Sequence, residues 1–263
     1  MVTISSFLWN SGRLEPEDDG VDAPIAAADS WLVAEGKVVA LGLHRARFFA
    51  AIAPEKQERL RLEEFWAASL AHLPRTGHWF PRVELRHDSG TPRLAFRLRR
   101  APSRGTSLTA VTHQGQDPRR QPGIKGPDIA ALAEIRRDAQ LRGADEAIIL
   151  SESGHVVDGA STAILWWRGQ TLCAPPTSLV RVDSVTAKTL MAIATALGTE
   201  IRYEAAQPHE LDALEVWAVN ALHGIRTIAA WVEGPALAGE SSRASAWRAR
   251  MDALATPLTP PGP

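Results

Sequence analysis

The chain has 263 residues, 45% of them hydrophobic, a formal net charge of −1 and a single cysteine, Cys173. That length and apolar content suffice for one large core or two modest ones, while the near-zero charge and the scattered arginines give no basic stripe for nucleic acid. One thiol excludes internal disulfides and clustered-thiolate metal sites, so no metal site is expected, and no apolar run approaches the roughly 18 residues that a membrane span needs.

Met1-Val2-Thr3-Ile4-Ser5 has no basic leader before an apolar stretch, which points to a cytoplasmic protein. In chain order, residues 3–9 read as a strand and 30–41 as a hairpin with Ala34-Glu35-Gly36-Lys37 at its tip. A helical stretch follows over 44–73. Segment 79–98 alternates through Val83-Glu84-Leu85-Arg86 and turns at Asp88-Ser89-Gly90-Thr91-Pro92, which predicts a second hairpin. From His113 to Gly123 the chain is rich in Gln, Pro, Arg and Gly and has no aliphatic residue, the composition of an interdomain connection.

The second half opens with a predicted helix over 128–142, where Ile129, Leu132, Ala133 and Ile135 recur at near-helical spacing ahead of Gly143. Short strands are expected at 146–150, 155–157 and 163–167, then a turn at Trp167-Arg168-Gly169-Gln170-Thr171. A helix over 184–197 and strands at 200–203, 215–219 and 227–232 complete the pattern. The Pro-rich tail, 256–263, reads as disordered. The layout is α+β, with a smaller N-terminal domain over 1–118 and a larger one over 119–255.

Only four lysines stand among the twenty-nine basic residues, so each one can be judged. Lys37 falls at a hairpin tip, Lys56 in a charged helix start and Lys188 on the polar side of a helix, all solvent positions. Lys125 differs. In Pro122-Gly123-Ile124-Lys125-Gly126-Pro127 it lies between two turn-forming glycines directly ahead of a helix, where its amine is placed to reach into a cleft. An ordinary surface lysine is the plain alternative.

Lys125, the string Arg142-Gly143-Ala144-Asp145-Glu146-Ala147-Ile148-Ile149-Leu150 and then Val157-Asp158-Gly159-Ala160-Ser161-Thr162 together resemble the fold type IV pyridoxal-phosphate enzymes. That group includes branched-chain and D-amino-acid transaminases and aminodeoxychorismate lyase. The order and spacing match from Lys125 to about Trp231; in the first half the match is chiefly His44-Arg45-Ala46-Arg47-Phe48, similar to the family's His-x-x-Arg-Leu. The resemblance implies a two-domain α+β fold with pyridoxal 5'-phosphate in the cleft between domains, and a homodimer whose sites border the subunit interface.

It also implies roles. Lys125 would condense with the cofactor aldehyde and then move protons at the substrate carbon. Asp158 stands where the family carries a glutamate that keeps the pyridine nitrogen protonated, one methylene shorter. Arg47 matches the phosphate-binding arginine, and Ser184, Val185 and Thr186 match a Gly-Ile-Thr segment whose helix N-terminus offers N–H groups to the phosphate. Asp183 beside them would repel an anion unless turned away. Ala163 replaces a frequent asparagine, and the family's acidic strand motif is poorly kept around Asp29-Ser30-Trp31-Leu32. Asn220 and Ala221 take the place of a Thr-Gly-Thr-like loop, and Asn-Ala-Leu is a string associated with the lyases. For the substrate carboxylate, Arg86, His223 and Arg226 are the candidates, Arg82, Glu84 and Arg86 sharing one strand face.

Three functions follow. The first is 4-amino-4-deoxychorismate lyase, releasing pyruvate and 4-aminobenzoate from a small-molecule amino substrate. Transamination is the second, using the same Lys125, Asp158 and Arg47 with a keto-acid acceptor. An inactive relative that binds a ligand or partner is the third, suggested by the changes at Asp158, Ala163 and Ser184.

Overall fold

The computed structural model describes residues 4–17, 23–88, 90–239 and 242–258. It divides into two compact units, one comprising Met1–Ser103, Ile124–Pro127 and Leu254–Pro263, the other Arg104–Gly123 and Asp128–Ala253. No helix among the described residues is long and apolar enough to cross a membrane.

In the first unit, strands β1 (Ile4–Asn10), β2 (Arg13–Glu17), β3 (Ile25–Ser30), β7 (Arg82–Asp88) and β8 (Thr91–Arg99) form an antiparallel sheet in the order β2-β1-β8-β7-β3. The two-residue strands β4 (Val33–Ala34), β5 (Lys37–Val38) and β6 (His78–Trp79) make a smaller sheet. The predicted hairpin tip at Glu35-Gly36 is there, but β3 starts well before the expected position and Leu41 already begins a helix. The helical stretch is three helices, α1 (Leu41–Ala50), α2 (Pro54–Arg59) and α3 (Leu62–Ala71). Pro54 has no N–H to continue α1 and so opens a new helix at its first position, while Arg61 in the left-handed region (φ 53°) separates α2 from α3.

Alternation sorts the main sheet into two faces. Val83, Leu85, Leu94 and Phe96 join Trp31, Phe48, Phe65 and Trp66 in the core. Arg82, Glu84 and Arg86 point the other way. Glu84 is fully buried there and takes ion pairs from Arg82, Arg86 and Arg97, so the face holds charge without leaving that carboxylate alone.

The second unit has eight strands: β9 (Ser107–Thr112), β10 (Glu146–Leu150), β11 (Val156–Gly159), β12 (Ala163–Arg168), β13 (Thr171–Ala174), β14 (Ile201–Tyr203), β15 (Glu215–Asn220) and β16 (Gly224–Val232). Their order is β11-β10-β9-β16-β15-β12-β13-β14, with β9 parallel to both neighbours. Helices α4 (Ile129–Leu141) and α5 (Val185–Ala196) stand where the periodicity predicts them. Strands β2, β9 and β13 and helix α6 (Ser242–Asp252) do not follow from the sequence pattern. In α6 only Ala244, Trp247 and Met251 are buried, three apolar positions diluted by arginines. Trp247 packs edge-on with Trp167 and Trp217, and Cys173 is buried with its thiol pushed up to about 11 by burial.

Where composition suggests a disordered tail, Thr256 and Pro257 form strand β17 (Thr256–Pro257), pairing with Val38 and Lys37; residues 259–263 lie outside the described residues. The predicted connection over 113–123 is tied down. The Asp128 carboxylate accepts the N–H groups of Arg120 (3.0 Å) and Gln121 (2.9 Å).

Segment Ile124–Pro127 runs against β3. The Ala28 N–H donates to the Lys125 carbonyl at 2.6 Å, and Gly126, at φ +140°, comes so close that a Cβ there would sit 2.7 Å from Ala27 Cα. Gly126→Ala combines a strained φ with a backbone clash, so a loss of at least about 2 kcal/mol in unfolding free energy is expected from urea denaturation. A change under about 0.5 kcal/mol would mean that the segment is held loosely.

Candidate active site

In the first unit the site is built on Asp29, a fully buried carboxylate on β3. Its Oδ1 accepts from His44 Nδ1 (2.7 Å) and Arg47 Nη2 (2.9 Å), its Oδ2 from Arg47 Nε (2.7 Å). His44 and Arg47 are three apart in α1 and therefore share a helix face. Burial would raise the Asp29 carboxyl, but the His44 hydrogen bond and the Arg47 charge hold it below the ordinary carboxylate range. Burial lowers His44 in turn, which leaves a neutral ring donating Nδ1–H to Asp29. The segment that looks eroded in sequence thus supplies the anion that orients Arg47.

Lys125 is half-buried, and its amine is pushed down to about 8 by burial first and then by the positive charge of Arg47, against the pull of Asp29. The Arg82 and Arg99 charges act the same way. Arg86 is 2% exposed and its charge is paired with two carboxylates, its Nη1 donating to Glu17 Oε2 at 2.7 Å and its Nε to Glu84, while its Nη2 is buried without an acceptor. Arg99 differs: it donates to the Phe80 carbonyl (3.0 Å) and Ser30 Oγ (3.4 Å), has no carboxylate in ion-pair reach among the described residues, and is pushed down to about 10 by burial and the neighbouring Arg82.

In the second unit Asp158, on β11, is buried and pushed up to about 7, by burial first and then by the Glu146 charge, with Arg119 and Arg181 opposing. Its Oδ2 receives Arg119 Nη1 at 3.3 Å, while its buried Oδ1 has no hydrogen-bond partner. Arg119 is itself clamped by both oxygens of Asp117, at 2.9 Å and 2.7 Å. Glu146 is fully buried and accepts from Ser161 Oγ (2.6 Å) and Thr162 Oγ1 (3.1 Å), pinning the turn that follows Asp158. Arg181 donates to the carbonyls of Pro175, Pro176 and Leu179 and shapes the approach to α5.

At the start of α5 the Ser184 hydroxyl accepts the Ala187 N–H (3.2 Å), a cap that leaves the first-turn N–H groups of Val185 and Thr186 ahead of any intrahelical acceptor. Asp183 forms an ion pair with Lys188 along the same helix. Asn220 is used locally: Oδ1 accepts from Leu222 N (3.1 Å) and His223 N (2.8 Å), and Nδ2 donates to the Ser161 carbonyl (3.2 Å), tying the Ala221 loop to the turn after Asp158. His223 Nδ1 accepts from Gly105 N (3.1 Å), and the ring is pushed down to about 4 by burial and then by Arg226, so it is neutral near pH 7. Arg226 is buried with no acceptor for its Nε.

Lys125 and Arg47 are therefore brought together around Asp29 in one unit; Asp158, the α5 start and the Asn220 loop belong to the other. Sequence reasoning missed Asp29 as an anchor, and Arg119 and Glu146 altogether. The signal for Arg119 was Asp117-Pro118-Arg119, opposite charges in a stretch with no aliphatic residue to bury.

A lysine held at about 8 acylates at neutral pH far faster than an ordinary one, whose value is about 10.4. Labelling of the cofactor-free protein across pH, read by mass spectrometry, is expected to show Lys125 half-reactive near pH 8. Arg47→Met removes a repelling cation and moves that midpoint up. A midpoint near 10 in the wild type would contradict this electrostatic account.

Three solved structures share the architecture: a branched-chain aminotransferase from the thermophilic archaeon Thermoproteus uzoniensis with norvaline (19% identity, 97% of this chain and 100% of that chain covered, TM-score 0.74), a fold IV-transaminase from Curtobacterium pusillum (16%, 94% and 97%, 0.73) and a hypothetical aminotransferase from Mycobacterium tuberculosis in PLP-bound form (16%, 96% and 98%, 0.73). At such identities the likeness establishes the fold, and it agrees with the α+β, fold type IV expectation. No curated protein matches in sequence. The sequence model of amino-transferase class IV matches residues 26–231, a span that takes in Arg47, Lys125 and Asp158, and the chain belongs to that enzyme family.

Proposed function

We propose that this chain binds pyridoxal 5'-phosphate through Lys125 and breaks or makes bonds at the carbon bearing the amino group of a small carboxylated substrate. The observation that carries this is a pair of perturbed groups: a lysine amine held at about 8, neutral often enough to act as a nucleophile, and a buried Asp158 whose Oδ1 has no donor. Both suit the cofactor. A protonated ring nitrogen would supply the donor Asp158 Oδ1 lacks; in the first unit the Arg47 fork, and in the second the N–H groups of Val185 and Thr186, are each of the kind that suits a phosphate. Ser184 supports that helix end by capping it, and Asn220 supports the Ala221 loop. When bound, the cofactor supplies an aldehyde for the amine and a ring that withdraws electrons from the adjacent carbon.

The protein's own part follows. Lys125 Nζ, once released, takes the proton from the substrate carbon, and its lowered affinity for protons matches it to work near neutral pH. Asp29 orients Arg47 and thereby holds a cation beside that amine. Arg99, with no carboxylate of its own, is a better receptor for the substrate carboxylate than Arg86, which two glutamates already occupy; His223, neutral, and Arg226 remain secondary candidates.

For the reaction, we favour elimination from 4-amino-4-deoxychorismate, giving pyruvate and 4-aminobenzoate, because Asn220-Ala221-Leu222 replaces a Thr-Gly-Thr-like loop and the Asn220 side chain is what folds that loop. Transamination is the second reading, favoured by the family to which the chain belongs and by its solved structural neighbours. A homodimer accompanies either reading.

The purified protein is expected to be yellow, with borohydride trapping the cofactor on Lys125, and Lys125→Ala to lose the band and at least about 10³-fold in activity. Pyruvate release from aminodeoxychorismate without added keto acid selects the lyase; dependence on a keto acid selects transamination. A colourless protein that takes up no pyridoxal phosphate would sink both.

A further inference from the structure

Asp158 stands one methylene short of the glutamate that the resemblance places there, and it is buried beside a second buried carboxylate, Glu146. Such a site favours a neutral acid, which could not serve as a fixed anionic acceptor. The charged groups that act on it come from three elements: Arg119 in the stretch before Lys125, Arg181 in the approach to α5, and Glu146 on β10. Of the two cations only Arg119 reaches Asp158, at 3.3 Å; the hydrogen bonds of Arg181 go to the carbonyls of Pro175, Pro176 and Leu179.

Arg119 is built for a fixed position. Its side chain is 3% exposed, its Nε and Nη2 are clamped by the two Asp117 oxygens, and Nη1 is what remains to meet Asp158. A guanidinium is planar, so fixing two nitrogens fixes the third. The carboxylate is then held by Oδ2 alone, and Oδ1 stays buried with no donor.

We propose that Arg119 is a positioning residue for the cofactor: clamped by Asp117, it holds Asp158 through Oδ2 and leaves Oδ1 as the acceptor for the cofactor's protonated ring nitrogen. This rests on the reading of Asp158 as the ring-nitrogen partner. Arg119 thereby compensates for the shorter side chain with a counter-charge behind the carboxylate. A purely structural Arg119 would tie the connection over 113–123 to β11 and leave the ionisation of Asp158 unimportant to cofactor binding.

The test uses the whole chain, wild type and the variants Arg119→Met, Arg119→Gln and Arg119→Lys, with Asp158→Asn to assign the carboxyl signal. Carbon-13 NMR titration of the cofactor-free protein should place Asp158 near 7 in the wild type, about one unit or more higher in the Met and Gln variants, and between the two in Lys, which keeps charge but lacks the fork. Dissociation of pyridoxal phosphate, followed by its visible band, should weaken about tenfold in the Met and Gln variants, recover partly in Lys, and weaken further as pH falls below the Asp158 midpoint. Two neutral variants guard against one of them failing to fold. An unmoved Asp158 titration in a folded neutral variant overturns the inference, and so does a moved titration with unchanged cofactor affinity. Failure of the wild type to take up pyridoxal phosphate overturns the cofactor reading itself, whereas uptake with an unmoved titration overturns this inference alone.

Discussion

The contact between Gly126 and Ala27 is the constraint on which the Lys125 arrangement depends. It allows the Lys125 carbonyl to accept from Ala28, which sets the lysine beside the strand that carries Asp29. Any side chain at 126 would push that backbone away, because the approach is between main chains and neither can rotate aside. Four residues, Ile124–Pro127, thus belong to the first unit although the chain on both sides of them belongs to the second. The glycine that reads in sequence as a turn residue is needed for close packing.

Within each unit, charges are buried in unequal ways. Asp29 is saturated by a histidine and an arginine, and Glu84 takes ion pairs from three arginines. Buried charges of this kind cost several kcal/mol each in desolvation and are tolerated because partners and hydrogen bonds offset it. Asp158 is different. It has one arginine at 3.3 Å and one bare oxygen, which leaves it poised near neutrality where the others are firmly ionised. Lys125 is poised in the same way from the basic side. A shifted titration joined to a group able to take up a partner is what sites prepared for a ligand show.

Much of the fold is legible in the residue order. Helices α4 and α5 follow from apolar spacing ended by glycine, and β10, β12 and β15 from short apolar runs, because those signals are local. Strand β9 was not, although it lies between two parallel partners: Ser107-Leu108-Thr109-Ala110-Val111-Thr112 is an ordinary alternation, and its centrality comes from β10 and β16, each distant in sequence. Arg86 illustrates the same limit. On a strand face it looks like an anion receptor, and only the positions of Glu17 and Glu84 reveal that its charge is already paired with two carboxylates.

The sequence by itself determined which chemistry is on offer: one lysine among four in a glycine-flanked turn, an aspartate before a Gly-Ala-Ser-Thr turn, and a His-x-x-Arg on one helix face, with a family pattern running through them. These are properties of residue type and short spacing, which survive without knowledge of the fold. Tertiary structure decided the charge state and the pairing of each group. Whether Lys125 is an ordinary amine or one held at about 8, whether Asp29 is a loop acid or the anchor of Arg47, and whether Arg119 is a linker residue or the partner of Asp158 depend on burial and on neighbours far along the chain. Electrostatic energy depends on distance and on local dielectric, and neither is written in residue order.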